Sequence, residues 1–150
     1  MAGTGMLSRL KDRVRAATRR AGGLRVGYAP DHDGDADPGE VVWTWVAYED
    51  DPSQGKDRPV LVIGWDGPKL AVVPLSSKDH ADRRDAHEWV AVGAGGWDRT
   101  GRPSFADASR LLRVAPAAVR REGAALDRRR FDEVVTRVRA LHGDDVVAAG

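Results

Sequence analysis

The chain is expected to be mainly β, a small barrel with one helix packed at its C-terminal end. Three observations carry that expectation. After Gly39, apolar residues alternate with period two in short runs separated by Gly, Pro and Asp. At the C-terminal end the period changes: Phe131, Val134, Val135, Val138 and Leu141 keep the 3, 4 and 7 spacing of a helix face. The 150 residues are 41% hydrophobic and 31% charged, which suits one compact domain with a real core.

The N-terminal stretch MLSRLKDRVRAATRR sets Leu7, Leu10, Val14 and Ala17 at helical spacing among arginines and Lys11, and Gly22 and Gly23 end it. It reads as a loosely packed basic helix. PDHDGDADPG follows as an acidic, proline-bounded linker, so residues 1–37 form arm and linker, 38–143 the domain, and 144–150 a disordered tail. In EVVWTWVAY, Val41, Trp43, Trp45 and Ala47 share one strand face and Val42, Thr44 and Val46 the other, with the tryptophan face expected toward the core. PVLVIGW and KLAVVPL are two more strands, joined through DGP as a hairpin. HEWVAVG adds a strand, GAGGWDRTGRP a glycine-rich loop, and SRLLRV a last strand that stops before Pro116. PAAVRREG is one short helical turn, and the final helix has Asp127 as its N-cap and Gly143 past its end.

A net charge of +1 conceals an uneven distribution. Met1 to Arg25 carries seven basic residues and one acid, Asp31 to Asp51 eight acids and no base, and Arg102 to Arg139 is basic again. A local footprint for a polyanion is compatible with such a sum. The absence of cysteine excludes disulfides, zinc ribbons and thiol nucleophiles, leaving hydroxyls, histidines, carboxylates and arginines for any chemistry. No apolar run reaches the roughly 20 residues of a membrane helix, and the first residues lack a secretory h-region. A cytoplasmic location without membrane contact is therefore expected. Asp31, Asp33, Asp35 and Asp37 alternate as calcium ligands do, but Ala36 stands where that loop needs glycine and Val42 where it needs its glutamate. No metal or other cofactor is expected.

His80 and His87 are of the right type for acid and base at neutral pH, yet no third group is placed to orient either ring. Arg58 and Ser76 form a more specific pair. Arg58 stands just before PVLVI and Ser76 just after VVPL, so if the two strands pair antiparallel both side chains reach one rim. A planar fork of donors and a hydroxyl suit one phosphodiester, with Ser77 and Lys78 close behind and Lys56 adding positive field.

These segments resemble the PemK/MazF toxins of bacterial type II toxin–antitoxin systems. PGEVVWTWV is similar to the family's opening strand, GKDRPVLVIG to its Arg-Pro and apolar strand, and VVPLSSK to its Pro-hydrophobic-Thr/Ser strand end. The likeness runs from Pro38 to about His142. It implies an SH3-like barrel of the MazF/CcdB toxin type, usually a homodimer, that cleaves single-stranded RNA such as mRNA without a metal and is inhibited by a cognate antitoxin. On the same likeness Arg58 and Ser76 are the catalytic pair and the family's glutamine falls on Arg110. Lys56, Ser77, Lys78 and Arg110 are then the expected RNA contacts, with His80 as reserve acid or base. Serine in place of the commoner threonine keeps the hydroxyl but loses the methyl that stiffens its rotamer.

The implied reaction is attack of a 2′-hydroxyl on its own 3′-phosphate, which leaves a 2′,3′-cyclic phosphate and a 5′-hydroxyl. Arg58 would stabilise the phosphate charge and Ser76 would hold the phosphate or the attacking oxygen. Arg58 is a poor general base, because a guanidinium with a pKa above about 12 keeps its proton. Two further readings of the barrel stay open: a protein-binding module without catalysis, as in a related toxin that poisons DNA gyrase, and a degenerate homologue that binds RNA without turnover.

Overall fold

The computed structural model describes residues 24–30, 36–78, 84–120, 124–143 and 147–149. Among the described residues eight strands make one curled sheet: β1 (Leu24–Val26), β2 (Val41–Ala47), β3 (Gly55–Asp66), β4 (Lys69–Ser76), β5 (Trp89–Gly93), β6 (Ser104–Asp107), β7 (Leu112–Val114) and β8 (Val147–Ala149). Their order is β5-β6-β4-β3-β1-β8, with β2 also on β3 and β7 also on β4. The pairings are antiparallel except β1 with β8. The result is a mainly-β half-barrel with one long C-terminal helix among the described residues, α1 (Arg128–His142).

The β3–β4 hairpin is the spine. Asp66 pairs with Lys69, so the turn is only Gly67 and Pro68, and Gly67 supplies the φ of +57° that such a turn demands. From Val60 to Trp65, β3 is buried on both faces. Val60, Val62 and Trp65 pack with Val42, Val46, Leu70 and Val72, closed over by Leu112, Val114 and Val119. Leu61 and Ile63 pack on the other side with Val41, Val73, Val92 and the apolar stripe of α1, Phe131, Val134 and Val138. A strand covered on both faces has no polar side to alternate with, which is why this run is continuously apolar. A register shift between Val62 and Gly64 adds the local bend that curls the sheet. The helix ends are as expected: the Asp127 carboxylate accepts from the Arg130 amide, and Gly143 follows with a φ of +88°.

Four details differ from the sequence reading. The domain is wider than 38–143, because Leu24–Val26 pairs with Gly64–Asp66 and Val147–Ala149 pairs with Leu24–Val26. Three-residue strands are too short to show a period, so nothing local distinguishes them from arm and tail. The end of the supposed linker is also packed: Ala36 is buried, and the Asp37 amide donates to Glu40 Oε1 at 2.7 Å. The arm helix over Leu7 to Ala17 and the acids Asp31, Asp33 and Asp35 lie outside the described residues.

Along β2, Val41, Val42, Thr44 and Val46 are buried and Trp43 is half-buried, whereas Trp45 is 56% exposed. Trp43 and Trp45 stand opposite Pro59 and Asp57, on the outer half of β3 beyond the core, which leaves Trp45 uncovered. Its indole rests where a Gly55 side chain would stand, 2.6 Å from an added Cβ. A further strand, β6, occupies Ser104–Asp107, directly after the glycine-rich loop, and pairs with both β4 and β5.

Gly64 is the tightest constraint in the sheet. A Cβ there would lie 1.9 Å from the Arg25 carbonyl oxygen, so β1 can dock only against glycine. Gly64→Ala is expected to destabilise the fold by about 1–3 kcal/mol, read as a lower urea midpoint. An unchanged midpoint would show that β1 moves aside without cost.

Candidate active-site cleft

β3 and β4 part company at two prolines. Val60 with Pro74 is their outermost pair, and the next two residues of β4, Leu75 and Ser76, pair instead with Ala106 and Phe105 on β6. Pro59 and Pro74 have no N–H, so neither needs a ladder acceptor at the parting. The outer half of β3, Gly55 to Pro59, stays with β2. Between the two branches lies an open cleft of about 740 Å³.

Arg58 lines this cleft from one branch and Ser76 from the other. Two residues beyond the Val60–Pro74 pair, they occupy facing positions across the fork. Arg58 is half-buried and stands opposite Thr44, whose hydroxyl donates to the Ala118 carbonyl at 3.1 Å. Among the described residues the Arg58 guanidinium has no ion pair and no side-chain hydrogen bond. Ser76 Oγ accepts from the Lys78 amide at 3.2 Å, a turn that orients the hydroxyl and leaves its proton for another acceptor. Lys56, Ser77 and Lys78 are exposed along the same cleft.

Arg110 also lines the cleft. Its Nη2 donates to the Ala47 carbonyl at 2.9 Å, and its Nε lies 3.8 Å from Glu49, so it pins the end of β2. His80 lies outside the described residues. His87 is exposed beside Glu88, its carbonyl accepts from Arg137, and it does not line the cleft.

The sequence reading missed the wall formed by the loop before β6. That loop is folded around Trp97, which is buried, donates from Nε1 to Ser104 Oγ at 3.0 Å and presents its carbonyl to Trp43 Nε1 at 3.1 Å. Gly95 is required beneath it, since a Cβ there would meet the indole at 2.2 Å. A tryptophan directly after paired glycines was the available signal. The next residue, Asp98, lines the cleft and accepts from the Thr100 hydroxyl at 2.6 Å, the Thr100 amide at 2.9 Å and Arg102 Nε at 3.0 Å. The Thr100 hydroxyl and amide, with Arg102 behind them, hold its carboxyl below the ordinary value of 3.8 against an opposing push from burial.

The charges of the cleft are sorted. Asp57 is held by Arg120, Asp98 by Arg102, and Glu49 faces Arg110. Lys56, Arg58 and Lys78 have no ion pair among the described residues. Three cations without an ion pair, beside three carboxylates that have one, suit this part of the cleft to an anion. Among the described residues no three His, Asp or Glu side chains gather as metal ligands do, and no helix is long and apolar enough to cross a membrane.

A curled half-barrel with one C-terminal helix is a fold of the MazF-like toxin class. The family model for the PemK-like, MazF-like toxin of type II toxin–antitoxin systems matches residues 37–142, and the chain belongs to that family. Two solved structures share the fold. One is an endoribonuclease in complex with its cognate antitoxin from a mycobacterial species, 15% identical, with a TM-score of 0.53 over 73% of this chain and 96% of that one. The other is MazE–MazF from Deinococcus radiodurans, 18% identical, with a TM-score of 0.51 over 79% of this chain and 99% of that one. No curated protein matches the chain.

The Asp98 bonds make the loop wall acid-sensitive. A group whose folded pKa is lowered contributes stability above its unfolded value and loses it as pH falls through the folded value. Backbone amides of the 98–102 turn are therefore expected to keep their hydrogen-exchange protection down to the ordinary aspartate value of 3.8 and to lose it below. Asp98→Asn should weaken that protection at neutral pH and abolish its acid dependence; an identical pH profile in the variant would contradict this account.

Proposed function

We propose that this chain is a toxin that cleaves single-stranded RNA, mRNA included, in the forked cleft, and that a cognate antitoxin blocks it. The observation that carries the proposal is the guanidinium of Arg58, without a partner among the described residues, across the fork from the oriented hydroxyl of Ser76. Membership of the toxin family and the two antitoxin complexes among its structural neighbours support the same reading.

The reaction follows from the groups present. A phosphodiester seated between Arg58 and Ser76 takes charge-assisted hydrogen bonds on its non-bridging oxygens. The adjacent 2′-oxygen attacks phosphorus, its proton departs, and the P–O5′ bond breaks as the 5′-oxygen gains a proton. Negative charge builds on the phosphorane oxygens, so donors that are already fixed in place lower the barrier without reorganising. DNA, lacking the 2′-hydroxyl, binds without being cut. Lys56, Ser77 and Lys78 guide the flanking phosphates, and no metal enters the reaction. The toxin works as a homodimer in the cytoplasm.

Purified protein is expected to cut single-stranded RNA in EDTA and leave a 2′,3′-cyclic phosphate. Arg58→Ala should lower kcat/KM about a hundredfold or more, and Ser76→Ala about 10- to 100-fold, with unchanged circular dichroism and thermal midpoint. Cleavage that stops in EDTA, or full activity in both variants, would overturn the mechanism. Binding that weakens steeply with salt but yields no product would instead identify a degenerate, RNA-binding homologue.

A further inference from the structure

Next to Arg58 in the chain stands a carboxylate. Asp57 lines the same cleft, on the outer half of β3. Its side chain leaves the strand on the face opposite to that of Arg58, yet both line the cleft, and a negative charge on the wall of a phosphate-binding cleft works against the phosphate. The chain meets this with a residue that is outside the cleft lining. Arg120 donates from Nη1 to Asp57 Oδ1 at 3.1 Å and from Nη2 to Asp57 Oδ2, a forked pair that engages both oxygens.

Arg120 is not a side chain that happened to find an acid. Its amide donates to the Trp43 carbonyl at 2.8 Å and its carbonyl accepts from the Trp43 amide at 3.0 Å, so the backbone of residue 120 is bridged to the free edge of β2. Trp43 lies opposite Pro59, and Trp45 opposite Asp57, in the β2–β3 register. That places Arg120 on the same sheet face as Asp57 and across β2 from it, and the long side chain spans the strand. The turn before it, Pro116–Ala118, also supplies the carbonyl that receives Thr44, the residue opposite Arg58.

We propose that Arg120 is a positioning residue for Arg58. It neutralises Asp57 from outside the cleft, so that the guanidinium next door meets the substrate phosphate without a competing negative charge. Both members are about half exposed, 50% and 43%, so the pair contributes little to stability. Its effect is on anion binding instead. The inference rests on the endoribonuclease reading, and the experiment separates the two.

The test is a double-mutant cycle on the full chain with a defined single-stranded RNA in EDTA. Arg120→Gln strands Asp57 as an unbalanced carboxylate and is expected to lower kcat/KM about three- to tenfold at low salt. The loss shrinks as salt is raised to about 0.5 M, because the interaction is electrostatic and partly exposed. Asp57→Asn in the Arg120→Gln background restores most of the loss. Asp57→Asn alone, which breaks the ion pair without stranding a negative charge, lowers KM. A structural latch would give the opposite result for Asp57→Asn, and a direct RNA contact by Arg120 would leave the double variant as poor as the single; either overturns the proposal, as does a wild-type value in Arg120→Gln. Affinity for the DNA version of the same oligonucleotide, which is bound but not cut, follows the same pattern. If wild-type protein cuts no RNA, the nuclease reading fails; the DNA affinities then still decide whether Arg120 governs anion binding beside Arg58.

Discussion

Everything that makes the cleft depends on where β3 loses its second neighbour. A strand buried on both faces must have its backbone groups paired on both sides, and β3 meets that demand from Val60 inward. Outward of Val60 the core ends, β4 turns to β6, and β3 continues with β2 alone. Prolines at 59 and 74 allow the separation, because neither has a donor that would pull the branches together. The same parting that ends the ladder opens a space, and two residues past it on the two branches stand Arg58 and Ser76.

The outer ribbon then has to be held by something other than the core. Trp43 is tied through its indole to the Trp97 carbonyl, Thr44 to the Ala118 carbonyl and Ala47 to Arg110. Trp45 covers Gly55. Each of these uses a polar or aromatic group where a buried strand would use a valine, and each leaves the Arg58 guanidinium unengaged. Rigid support from neighbours that do not themselves engage Arg58 is what preorganisation requires.

Much of the site was legible in the residues, and what was hidden was hidden for physical reasons. Arg58, Ser76, Lys56, Ser77 and Lys78 come to one cleft because antiparallel pairing of two readable strands brings the start of one beside the end of the other. The wall around Asp98 left one signal, the tryptophan after paired glycines, because the rest of its shape comes from hydrogen bonds two to four residues long inside a loop. Trp45 was misread because strand alternation tells which residues share a face and not which face is covered. The short strands β1, β6 and β8 carry too few residues to show a period, and their existence depends on partners far along the chain.

Residue type and spacing alone determined the long β3–β4 hairpin, the C-terminal helix with its Asp127 cap, and the meeting of Arg58 and Ser76 at one cleft. These are local properties: a two-residue turn, a 3.6 period and a capping carboxylate act within a few residues of themselves. Only the tertiary structure decided which charges are available. Arg110 became a tether for Ala47, and Arg120 was assigned to Asp57 across β2. Arg58 was left without a partner among the described residues. Charges act through space on whatever the fold brings near, so an arginine's task is set by its neighbours in the sheet and not by its neighbours in the chain.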